Sequence, residues 1–255
     1  MTTSTAAKRS STRAAHERIP GVAPFTGFRH EAIQFLADLA ANNERAWFQP
    51  RKAEYERLLK EPLMSLVASL DERFRARGIP LAADPAHSPF RIYRDTRFAK
   101  DKSPYKTNIG ASFPWVGDAS AGGVAIDAES RHGGGGYFHL SPGDIFVGGG
   151  MWHPETARLN AFRAAVVADP ARVHAALEDP GFVALFGHVN GDELKRVPSG
   201  YAADHPEAEL LRLKDIVFGR RLSDREATSP ELPDLLADSF EAALPVFRFL
   251  ATLPA

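Results

Sequence analysis

The spacing of apolar residues changes twice along this chain. From Phe28 to Asn42 they recur at helical intervals, with Ile33, Leu36, Leu39 and Ala40 on one stripe, which predicts an amphipathic helix. Asn42-Asn43 can end it, and Asn43 is placed to cap the next helix. A second helix is predicted over 51–60, with Tyr55, Leu58 and Leu59 on one side. Pro62 suits the first turn of a third, which Gly78 would close.

In the middle of the chain the pattern shortens. Residues 90–98, 108–116, 123–127, 136–140 and 145–149 are short apolar or aromatic runs separated by Gly, Pro, Ser and Asp. Successive strands without intervening helices predict an antiparallel sheet. Helical spacing returns from Pro154 to Ala168 and over 171–178 and 205–213. Two more short strands are expected at 194–197 and 215–222, then a helix over 231–251 interrupted at Pro245. The order implies one α+β domain over 25–255, a mostly antiparallel central sheet with helices from both ends of the chain packed on one face. Residues 1–24, rich in Ser, Thr and Ala with four cations against Glu17, read as a disordered leader without the apolar centre of a secretory signal.

Composition narrows the function classes. No run of about 18 apolar residues exists, so no transmembrane helix is expected. The absence of Cys excludes disulfides, thiolate metal sites and cysteine nucleophiles, and fits a reducing cytoplasm. The net charge of −1 conceals a local excess: Arg91, Arg94, Arg97, Lys100, Lys102 and Lys106 face only Asp95 and Asp101 over 91–106. A concentrated basic segment in an otherwise acidic chain suggests a local anion site rather than a generally basic surface.

If 91–98 is extended, Arg91, Tyr93, Asp95 and Arg97 share one face, and Ile92, Arg94, Thr96 and Phe98 the other. An Arg-Tyr-Asp-Arg face must be solvated, internally paired or turned to a ligand. One reading is a solvated edge strand whose charges protect against aggregation. The other is a site for a small anionic, phosphorylated or nucleotide-like ligand. There Arg91, Arg94, Arg97, Lys102 and Lys106 would supply charge, and Tyr93 and Tyr105 stacking surfaces. Asp95 would orient an arginine or act as a base, and His139 is the nearest general acid–base candidate. A nucleic-acid partner is the alternative, since the same residues can track phosphates and stack bases. A protein-interaction module is a third reading. No cofactor and no metal is expected.

Other motifs weigh less. Ser103-Pro-Tyr-Lys106 matches the Ser-x-x-Lys of serine acylases, but its companion motifs are missing. His132, His139 and His153 lie in or beside a glycine-rich hairpin without metal-ligand spacing. Gly133–Gly136 and Gly148–Gly150 fit turns and close strand packing, or an anion nest. Trp47-Phe48 and Met151-Trp152 read as core or core-rim aromatics. Lys195, Arg196, Tyr201 and Lys214 form a second group that can complete an anion site.

Five of these stretches resemble a known family when taken together. They are Asn42-Asn43-x-Arg45-x-Trp47-Phe48, the run from Arg91 to Lys106, Gly136-Tyr-Phe-His-Leu-Ser-Pro142, Gly148-Gly-Gly-Met-Trp152 and Leu194-Lys-Arg-Val-Pro198. The chain is similar over roughly 25–250 to the bacterial and fungal domain-of-unknown-function family numbered 2461. Members often carry Ser at the position of Ala99 and His at that of Asn108, so both side chains differ here. The resemblance implies a single-domain intracellular protein and carries no catalytic residues with it.

Overall fold

The structure, a computed structural model, describes residues 22–97, 99–117 and 134–254. Most of the expected leader, the strand expected at 123–127, His132 and Gly133 lie outside those residues. Helix α1 spans His30–Ala41. Helices α2 (Arg45–Phe48), α3 (Lys52–Tyr55) and α4 (Glu61–Arg77) come next, joined by a 3-10 turn at Gln49–Arg51 and a π turn at Glu56–Lys60. The expected second and third helices are therefore one continuous run, because Pro62 sits within its first turn and continues the helical backbone. Gly78, at φ 66°, closes α4. Its N–H bonds Arg75 O and the next, from Ile79, bonds Phe74 O, a Schellman closure.

Four antiparallel strands then form a meander: β1 (Ile109–Pro114), β2 (Gly135–Ser141), β3 (Asp144–Met151) and β4 (Ile216–Arg221). Between β3 and β4 lie α5 (Thr156–Ala168), α6 (Pro170–Leu177), α7 (Pro180–Phe186) and α8 (Ala208–Arg212). Helices α9 (Asp224–Thr228), α10 (Leu232–Ala242) and α11 (Leu244–Ala251) complete the chain. Pro233 and Pro245 occupy first turns, so the last helix breaks at Ala243. Two expected strands are absent as ladders. Residues 194–197 form none; only isolated bridges, Asn190 to Val217 and Glu193 to Leu213, lie nearby. The described residues of the expected strand at 90–98 contribute a single bridge, Tyr93 to Tyr105.

Alternation along the strands sends one set of side chains to a continuous apolar core. Ile109, Ala111, Phe113, Phe138, Leu140, Ile145 and Val147 point there and are buried. Helices α1, α4, α7, α10 and α11 cover this face. Aromatic rings dominate the contact: Phe74 and Phe240 each meet Phe113, and Phe247 and Phe182 meet Phe218. Gly136 and Gly149 allow the close approach, since a Cβ would lie 2.5 Å from Phe240 and 2.8 Å from Phe247. The opposite face carries no helix of this set, and that asymmetry creates the site.

Helix α6 is tied to the segment before α8 by His174, between Glu178 (2.8 Å) and Glu207 (3.0 Å). The two carboxylates, Glu207 foremost, raise its pKa. Such a group stabilises fully below its unfolded value of about 6.5, and loses its contribution as pH rises through the raised folded value. His174→Gln is therefore expected to lower the melting temperature near pH 5.5 and to change it little at about pH 9, as calorimetry at both would show.

Candidate functional site

The open face of the sheet is lined by the other half of each strand. The register sets Ser112 opposite Tyr137, His139 opposite Phe146, Tyr137 opposite Gly148, and Gly148 opposite Gly219. Gly135 and Gly150 pair beside them, so the centre of this face is bare backbone. Gly148 and Gly150 show why glycine is required here. A Cβ on Gly148 would lie 2.2 Å from Phe218 O. Gly150 sits at φ +111°, and its Cβ would lie 2.1 Å from Ile216 O. Around the bare floor stand Phe90, Tyr137, Phe146 and Trp152, with Lys106, Asn108 and Asn190, enclosing a cleft of about 1010 Å³. Ser112 Oγ is buried there and has no partner among the described residues.

One end of the cleft holds a chain of polar groups. Tyr137, His139 and Ser141 alternate along β2 onto the same face. Tyr137 Oη lies 3.0 Å from His139 Nδ1, and Asn108 Nδ2 lies 3.4 Å from the same nitrogen. His139 Nε2 lies 3.2 Å from Ser141 Oγ, which donates to Asp144 O. Burial lowers the His139 pKa against a smaller opposing effect of Asp144, so the ring is neutral at pH 7. Burial, with a smaller push from Asp144, lifts the Tyr137 phenol to about 12. The consistent assignment has Tyr137 O–H donating to Nδ1 and Nε2–H donating to Ser141. The imidazole stacks on Phe146 at 4.8 Å, which fixes its plane.

The basic segment forms one wall, and its residues do not act as a set. Arg94 N–H donates to Pro104 O and Lys106 N–H to Ile92 O, closing a short hairpin. Exposure alternates as an extended segment would require: Arg91, Tyr93, Asp95 and Arg97 face solvent, while Ile92 is buried. Two of the six cations are answered by the segment's own carboxylates, and a third is tied to its backbone. Arg94 pairs with Asp101, and Arg97 Nε and Nη2 bond Asp95 at 3.0 and 2.7 Å. Lys102 Nζ donates to Thr96 O at 2.9 Å. The Arg97 guanidinium and N–H hold Asp95 down at about 2, so its carboxylate orients the arginine and has little affinity for a proton near pH 7.

Lys106 differs from these neighbours. Its ammonium lies over the Phe90 ring at 5.0 Å, on the cleft wall. No described carboxylate pairs with it, and burial, aided by Arg91, lowers its pKa. Arg94 and Asp95 also border this cleft, whereas Arg91 and Tyr93 border a separate hollow on the other side of the segment. Tyr105 is 1% exposed and stacks on Phe48 at 4.1 Å, so its ring belongs to the core.

The remaining sequence candidates fall elsewhere. Asn43 does not cap a helix. It clamps the backbone of Tyr105, donating to its O and accepting from its N–H, both at 3.0 Å. Ser103 Oγ bonds Asp101 at 2.6 Å, and no hydrogen bond joins it to Lys106. His153 lies against buried Asp215 and His139 has its own partners, so the two are not joined. Lys214 pairs with Asp192, and Lys195, Arg196 and Tyr201 do not line the cleft. Phe48 and Met151 are buried, but Trp152 is 74% exposed at the cleft rim, contrary to its expected core-rim place. The turn after β3 carries it outward, with the ring of His153, at φ 49°, tilted against it at 4.2 Å. Sequence reasoning does not single out Tyr137, Asn108 and Phe146 as site residues. The alternating Gly-Tyr-Phe-His-Leu-Ser of β2 is the available signal, since it puts Tyr137 and His139 on one face.

Among the described residues no helix is long and apolar enough to cross a membrane. No curated protein and no solved structure matches the chain. The sequence matches the conserved hypothetical protein family DUF2461 over residues 31–249, most of its length, and the chain belongs to that family.

Proposed function

We propose that the open sheet face binds a small anionic ligand with a flat, nucleotide-like body, in a cytoplasmic setting that the lack of Cys favours. The observation that carries this reading is Lys106: a part-buried ammonium on a cleft wall, with no described carboxylate paired to it. A desolvated cation without a counter-charge gains most from an incoming anion. The glycine floor admits a flat body close to the backbone, and Phe90, Tyr137, Phe146 and Trp152 offer aromatic surface. Tyr137 Oη, donating to His139, keeps lone pairs for a ligand hydroxyl or amine.

The test is a thermal-shift screen with AMP, ADP, sugar phosphates and a short single-stranded DNA. A nucleotide or sugar phosphate is expected to raise the melting temperature. Lys106→Met should weaken that ligand by about 10–100-fold, the loss of one charge-assisted contact. Lys102→Ala should leave it unchanged, because Lys102 donates to Thr96 O and does not line the cleft. Affinity should fall as pH rises through the lowered Lys106 pKa, earlier than for an exposed lysine. No stabilising anion, or a hit that survives Lys106→Met, would sink the proposal. The nucleic-acid alternative draws less support, since Arg94 and Arg97 are neutralised by their own segment. Tighter binding of DNA with a steep salt dependence would favour it.

A further inference from the structure

On the other side of the basic segment lies a second hollow of about 520 Å³. Its floor is apolar, built from Phe48, Leu63, Met64 and Ile92. Lys52, Lys60 and Arg91 stand at its lining against, among the described residues, a single carboxylate, Glu56. Lys52 and Glu56 are 4.0 Å apart and exposed, a weak pair, while Lys60 and Arg91 make no ion pair among the described residues. An apolar floor under an excess of cations is complementary to an anion with an apolar body.

Two further features set this hollow apart from an incidental surface depression. Tyr55 is 8% exposed and lines the hollow, and no described residue takes its hydroxyl's hydrogen bond, which leaves it free to bond a ligand there. Burial, with Glu56 and Tyr93 adding to it, pushes its pKa up to about 12, so it remains a donor. The helix also widens here into the π turn Glu56–Lys60, where Glu61 N–H reaches back to Glu56 O. That turn sends Leu58 and Leu59 to the core and leaves Glu56 and Lys60 at the hollow. Single π turns recur at functional sites because they re-aim side chains in this way. Tyr93, 46% exposed, forms part of the wall and is held by its bridge to Tyr105.

We infer that this hollow is a second ligand site, for a small amphipathic anion. Its carboxylate or phosphate head would meet Arg91, Lys60 and the Tyr55 hydroxyl, and its aromatic or short acyl body would lie against Leu63, Met64 and Ile92. The site is separate from the sheet-face cleft, and among the described residues only Phe90 borders both.

The test is fluorine NMR on the intact protein with 4-(trifluoromethyl)benzoate, 4-(trifluoromethyl)phenyl phosphate and the uncharged 4-(trifluoromethyl)benzamide. At least one anion should saturate at millimolar concentration, with the amide about tenfold weaker or more. Arg91→Gln, on an exposed residue that leaves the fold intact, and Tyr55→Phe should each weaken the anion by about tenfold. Lys106→Met should leave it unchanged, so failure of the sheet-cleft reading would not touch this one. The proposal is overturned if neither anion saturates, or if the amide binds equally well. It is also overturned if Arg91→Gln has no effect, or if Lys106→Met abolishes the binding instead.

Discussion

Asn43→Ala is expected to destabilise the protein by about 2–4 kcal/mol and to weaken anion binding in both clefts. One side chain makes two hydrogen bonds to the backbone of a residue 62 positions away, at 3.0 Å each. Its removal leaves the N–H and C=O of Tyr105 without those partners, and an orphaned buried polar group costs about 1–3 kcal/mol. The Phe48–Tyr105 stack, the short hairpin and the Phe90 N–H bond to Gly110 O would then be left to hold the segment that carries Arg91 and Lys106. For a domain of this size the melting temperature should fall by about 5–15 °C. Amide exchange should accelerate over residues 92–106. Asn43→Asp keeps the acceptor and loses the donor, so it should fall between the two. An unchanged melting temperature for Asn43→Ala would show that the clamp contributes little.

Gly150→Ala should be comparably severe, about 2–6 kcal/mol, for a different reason. The added Cβ meets Ile216 O at 2.1 Å, and backbone on the neighbouring strand cannot yield without breaking β3–β4 pairing. Strain at φ +111° contributes about 1–3 kcal/mol, and overpacking about as much again. Gly143 supplies the control. It also has a positive φ, of 73°, but a Cβ there meets nothing within 4 Å. Gly143→Ala should therefore cost only about 1–2 kcal/mol, the backbone term alone. Urea denaturation of both variants separates the contributions. Equal losses would mean that the contact with Ile216 is not what demands glycine at 150.

Much of the fold is readable in the sequence because its signals are local. Gly78 ends α4 where the sequence places it, since a left-handed closing residue is specified within one turn. The runs at 108–116, 136–140, 145–149 and 215–222 form β1 to β4, because period-two alternation is written in adjacent residues. Helix α9 is not among the expected elements, although Ser223 and Glu226 form a complete capping box, a signal three residues long. Residues 90–97 show the converse. They alternate in exposure like a strand yet form no ladder, because pairing needs a partner with its own free N–H and C=O groups. Pro89 and Pro104, which bracket this stretch and its turn, supply no N–H.

The candidate site divides along the same line. By itself the sequence determined the density of charge over 91–106, the alternation that turns Arg91, Tyr93, Asp95 and Arg97 outward, and the α+β order of elements. Only the tertiary structure decided which of those charges remain unanswered. Arg94 and Arg97 are matched within the segment, whereas Lys106 and Arg91 are sent to opposite sides of it. It also decided that Tyr105 is core, through Phe48 and Asn43, and that glycines from β2, β3 and β4 meet as one bare floor. Periods and caps act across a few residues. The clamp, the floor and the lone ammonium instead arise from groups far apart in the chain, whose meeting is set by how the sheet and helices pack.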